Sequence, residues 1–71
     1  MQDTAAEDFN ALVAAHPFDK ELIETCVAYG LRYQQIPVSL VDQLASRNVS
    51  LEVISQECLR QLDAMPSQLF H

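Results

Sequence analysis

Three prolines, at positions 17, 37 and 66, cut this chain into stretches long enough for helices, and Gly30 is its single glycine. A proline pushes the residue before it out of helical geometry, so a helix is expected to stop short of each one. Tight β-turns need residues that accept positive φ, glycine above all, and the chain has almost none to offer. No stretch alternates apolar and polar residues as a half-buried strand would. The expectation is an all-α fold of helices joined by short connections.

Capping signals and apolar spacing place four helices in a single domain covering residues 1–71. The first is predicted over residues 4 to 16. Thr4 and Glu7 have the spacing of a capping box, and Phe9, Leu12, Val13 and His16 line one face. The second begins after Asp19, read as its N-cap, with Phe18 and Ile23 spaced as a hydrophobic staple. Its buried stripe is Leu22, Ile23, Cys26, Val27 and Gly30; the glycine either admits a neighbouring helix or weakens the last turns. Tyr29 and Tyr33 flank that stripe one turn apart.

The third helix is short, starting at Ser39 with Asp42 three residues on and using Leu40, Val41, Leu44 and Ala45 as its apolar face. Ser50 caps the fourth, with Val49 and Ile54 at staple positions. Leu51, Ile54, Cys58, Leu62 and Met65 form its stripe, and Pro66 stops it. The architecture implied is a small compact bundle of four short helices, or three main helices if the third and fourth merge. Residues 66–71, with Leu69 and Phe70, are read as a flexible apolar tail.

A core this small contributes roughly 3–5 kcal/mol, so a partner surface is a natural supplement. The 49% hydrophobic content is ample for folding and leaves an apolar surplus that a homodimer would bury. Cys26 and Cys58 lie 32 residues apart, without CxxC or paired-histidine spacing, and each falls on an apolar stripe. Buried, reduced thiols are expected, and no metal site. No apolar run is long enough to span a membrane and no charged-then-apolar leader opens the chain. A soluble cytoplasmic protein that binds no membrane is the expectation.

Residues 40–62 resemble a helix-turn-helix unit, with "VSLEVIS" opening the second helix and Ile54 as its buried anchor. The resemblance implies a transcription regulator whose second helix enters the DNA major groove. The turn departs from the motif: it is shorter by one residue and lacks the usual glycine. The chemistry departs further. The outward residues expected on that helix are Ser50, Glu52, Val53, Ser55, Gln56 and Glu57, which include carboxylates and no cation. Reading DNA needs cations for phosphate and amide or guanidinium groups for base edges. No direct nucleic-acid binding is expected.

Charge is unevenly distributed within the net of −6. Residues 1–24 carry six carboxylates, among them Asp8, Glu21 and Glu24, against Lys20 alone, a net of −5. Some of these complement helix N-termini, and an acidic surface also keeps a small protein soluble. The same surface suits a basic partner, whose encounter it would accelerate. His16 and His71 join no nucleophile–base constellation, and a single glycine builds no phosphate loop. Catalytic residues and cofactors are therefore not expected, and the chain is not read as an enzyme.

The function expected is a small acidic protein–protein interaction module. It would regulate or inhibit a protein partner with a basic nucleic-acid-binding surface, as antirepressors or anti-defence proteins do. Candidate partner-binding residues are Asp8, Glu21, Glu24, Tyr29, Tyr33, Glu52, Glu57, Leu69 and Phe70. The alternatives are the helix-turn-helix regulator and a small structural subunit of a homodimer or larger complex.

Overall fold

The computed structural model describes residues 4–64, which form helices α1 (Ala5–Ala15), α2 (Lys20–Tyr33), α3 (Val38–Ser46) and α4 (Leu51–Ala64). A 3₁₀ turn, Pro17–Asp19, joins the first two. The expected apolar tail at 66–71, with Leu69 and Phe70, and Met65 before it lie outside the described residues. The chain is a compact all-α bundle of four short helices. The third and fourth do not merge.

Proline acts as expected at the end of α1. His16, immediately before Pro17, leaves helical geometry at φ −128°, ψ 62°, while its N–H still reaches the Leu12 and Val13 carbonyls. The start of α1 differs from the expected capping box. Thr4 occupies the N-cap position in right-handed helical geometry, and its hydroxyl makes no capping bond. Glu7 and Asp8 nevertheless sit in the first turn, where the helix dipole favours negative charge.

The joint between α1 and α2 corrects two expectations. Phe18 is 98% exposed, so the staple with Ile23 is not made. The 3₁₀ turn carries Phe18 outward, whereas Ile23 is fully buried. Asp19 stands at the N-cap of α2 but makes no capping bond. Its carboxylate accepts instead from Arg47 Nη1 at 2.8 Å, with His16 Nδ1 at 3.7 Å. A surface ion pair thus links the α1–α2 joint to the α3–α4 joint.

Helix α3 starts before Ser39. Pro37, at φ −56°, is its N-cap, and the Pro37 carbonyl accepts from the Leu40 and Val41 amides, each at 3.0 Å. Proline needs no donor there and its φ is already suited to the entry. The end of α3 is a Schellman motif. Asn48 adopts φ 58° and donates its N–H to the Ala45 carbonyl, and Val49 donates to Leu44. Leu44 and Val49 are both buried, as the apolar contact that accompanies this motif requires. Ser50 then caps α4 as expected, its Oγ accepting from the Val53 amide at 3.3 Å.

Helix α4 is the centre of the bundle, packed chiefly against α2 on one side and α1 on another. The core holds Ile23, Cys26, Val27, Leu44, Val49, Ile54 and Cys58, with Phe9, Leu12, Leu31 and Leu51 among the residues packed around it. Gly30 admits α4 closely: a Cβ there would stand 2.5 Å from Cys58 Sγ. Leu62, expected in the core, is half-buried and lies outside the buried cluster. Among the described residues no helix is long and apolar enough to cross a membrane.

Candidate protein-interaction surface

Two outer surfaces carry the residues singled out by sequence. Along α2, Glu21, Glu24, Ala28, Tyr29, Arg32 and Tyr33 recur at helical spacing and are all exposed. The tyrosine rings stand 5.7 Å apart at an interplanar angle of 34°, and the Arg32 guanidinium lies 5.5 Å from the centre of the Tyr33 ring. A shallow hollow of about 230 Å³ is lined by Ala28, Tyr29, Arg32 and Tyr33. Aromatic groups exposed beside a cation are adaptable contact material for a protein partner. Asp8 is exposed on α1, which docks on α4 and hardly on α2, so its charge belongs to a separate helix.

The second surface is the outer side of α4, where Glu52, Gln56, Leu59 and Asp63 form an exposed stripe. Glu57 is not part of it. Expected outside with Glu52, it is 4% exposed and held by Arg60, whose Nε and Nη2 donate to the two carboxylate oxygens at 2.7 and 2.8 Å. Gln61 Nε2 donates a further bond at 2.8 Å. The Arg60 hydrogen bonds hold the Glu57 carboxyl below its ordinary value of 4.5, overcoming the opposite effect of burial. A helix packed on two sides buries a wider arc than one stripe, and Glu57 falls within it.

Between these surfaces lies an apolar groove of about 240 Å³. The end of α2 and the link after it supply Gly30, Gln34, Gln35 and Ile36; α3 supplies Val41; and α4 supplies Leu51, Ser55, Cys58 and Leu59. Sequence reasoning did not find this groove, because its walls come from three elements and none of the spacings along one helix reports it. Its available signal was Leu59, a large apolar lining residue left outside the core at 66% exposure.

The features expected of a DNA reader divide. The missing turn glycine is no obstacle, since Asn48 itself adopts the positive φ. The outer stripe of α4 nonetheless offers two carboxylates and no cation. Both cysteines are buried and free, as expected, with Cys58 Sγ directed at the Val27 carbonyl at 3.7 Å. Burial raises both thiols above the ordinary 9.0. His16 is the C-cap of α1. Among the described residues no group of three or more His, Cys, Asp or Glu side chains is arranged to hold a metal ion.

Comparisons with protein-family models, with curated proteins and with solved structures find no match to this chain.

Proposed function

We propose that this protein is an acidic protein–protein interaction module that regulates or inhibits a partner through that partner's basic, nucleic-acid-binding surface, as an antirepressor or anti-defence protein would. The observation that carries the reading is the disposition of charge. Two of the four lysine and arginine cations, Arg47 and Arg60, are already engaged in ion pairs with Asp19 and Glu57. Glu7, Asp8, Glu21, Glu24, Asp42, Glu52 and Asp63 are all exposed, and among the described residues no ion pair is made to any of them. Such a surface attracts basic proteins and repels phosphate. In this reading the protein has no catalytic group and needs no cofactor.

The test is affinity capture from the native host with mass-spectrometric identification, followed by binding kinetics at low salt. The expected result is a basic nucleic-acid-binding protein whose association slows when Asp8→Lys and Glu21→Lys are combined, because the charges steer encounter. A gel shift of bulk DNA by the wild-type protein, weakening steeply with salt, would overturn the reading in favour of the helix-turn-helix alternative. A homodimer subunit is the second reading, supported by the exposed Phe18, Val38 and Leu59. Sedimentation across protein concentration distinguishes it.

A further inference from the structure

We propose that the groove between α2, α3 and α4 takes one large apolar side chain from a lysine- or arginine-flanked helical segment of a partner. This deepens the reading above and rests on it. The groove has the scale of an anchor site. At about 240 Å³ it falls below the roughly 300–1,000 Å³ of drug-sized ligand sites. Its lining combines the apolar Ile36, Val41 and Leu51 and the buried Cys58 with the amides of Gln34 and Gln35. An apolar anchor in a groove, flanked by polar contacts, is how an amphipathic helix docks.

The rim decides the chemistry of the flanks. On α4, Glu52 and Asp63 share the helical row of the lining residues Ser55 and Leu59, and all but Ser55 are exposed. On α3, exposed Asp42 adjoins Val41, and exposed Val38 precedes it by one turn. Among the described residues no lysine or arginine lines the groove. A segment with cations on either side of its anchor meets Glu52 and Asp63 at the two ends of the α4 row. A second copy of this chain is a poorer occupant, because a self-complementary contact brings Glu52 and Asp63 against their like.

The test uses isotope-labelled full chain and amide NMR, with three synthetic helical peptides as probes. One carries a leucine anchor flanked by lysines, one the same leucine flanked by glutamates, and one an alanine in the leucine's place with lysine flanks. The lysine–leucine peptide is expected to shift the amides of Ile36, Val41, Ser55 and Leu59 saturably. The glutamate-flanked and alanine peptides should not. Leu59→Ser, at an exposed position, should keep the wild-type melting temperature and weaken that peptide by roughly tenfold, the effect of losing a central apolar contact.

Shifts confined to α1 and the Glu21–Tyr33 face would overturn the groove and leave the acidic-capture reading standing. Equal binding of the alanine and leucine peptides would overturn the anchor. Absence of saturable shifts with every peptide would overturn the groove proposal, and the captured partner alone would then judge the broader reading. A concentration-dependent dimer abolished by Leu59→Ser would give the groove to a second copy and overturn the proposal. Movement of the same amides in Phe70→Ser without peptide would overturn it in favour of the chain's own C-terminal segment.

Discussion

Gly30 of α2 and Cys58 of α4 meet so closely that a Cβ on the glycine would stand 2.5 Å from the cysteine Sγ and 3.4 Å from its Cβ. The lost helix propensity, about 1 kcal/mol against alanine, is therefore offset by a close approach of two helices. Gly30→Ala regains the propensity and overfills the contact, at a cost of about 1–3 kcal/mol. The expected net result is a lower melting temperature. Cys58→Ala in the same chain should restore much of the loss, since it removes the sulfur that the new methyl strikes. Thermal melts of both single variants and the double variant check this.

Glu57 should reveal itself at low pH. Its carboxyl is held below 4.5 in the folded protein, chiefly by the Arg60 hydrogen bonds. A depressed folded pKa means that its stabilisation is present above the unfolded value and is lost as pH falls through the folded one. Urea unfolding of wild type should therefore weaken below about pH 4.5 more than that of Glu57→Gln. Arg60→Ala leaves a buried carboxylate without its main partner and should cost about 1–3 kcal/mol at neutral pH.

The thiols act at the opposite end of the scale. Burial raises Cys26 and Cys58 above 9.0, so the folded state resists ionisation that the unfolded chain accepts. Their contribution is complete below the unfolded pKa and is lost as pH rises through the folded one. The urea midpoint should fall between pH 8 and pH 10, and less so in Cys26→Ala than in wild type once each is compared with its own pH 8 value (roughly one unit either side of the thiol range). At neutral pH both thiols should label slowly with a thiol reagent when folded and quickly in denaturant.

Asn48 carries the turn between α3 and α4 at φ 58°. Asn48→Gly should leave stability within about 0.5 kcal/mol of wild type, whereas Asn48→Val should cost about 1–2 kcal/mol through left-handed backbone strain. If the two variants melt together, the turn does not depend on that backbone geometry.

Local chemistry made the helices legible. Pro17 ends α1, Ser50 caps α4, and Val49 and Ile54 enter one buried cluster; each signal acts within a turn of its own position. The misreadings involve distant partners. Asp19 looks like a helix cap until Arg47, 28 positions away, takes its carboxylate. Glu57 looks solvated until α4 acquires neighbours on two sides. The candidate site divides the same way: Glu21, Glu24, Tyr29, Tyr33 and Glu52 are outside, as a helical wheel gives, while the groove needs three elements already assembled.

The central position of α4 also sets the order in which the chain can become a protein. α1 finds its main docking surface on α4, the last of the described helices, and α2 does the same. At roughly 5–20 residues per second of synthesis, several seconds separate the emergence of the first helix from the arrival of its support. During that interval the apolar faces of α1 and α2 have no core to enter. A ribosome stalled before α4 would hold a nascent chain whose first half remains open to chaperones and proteases.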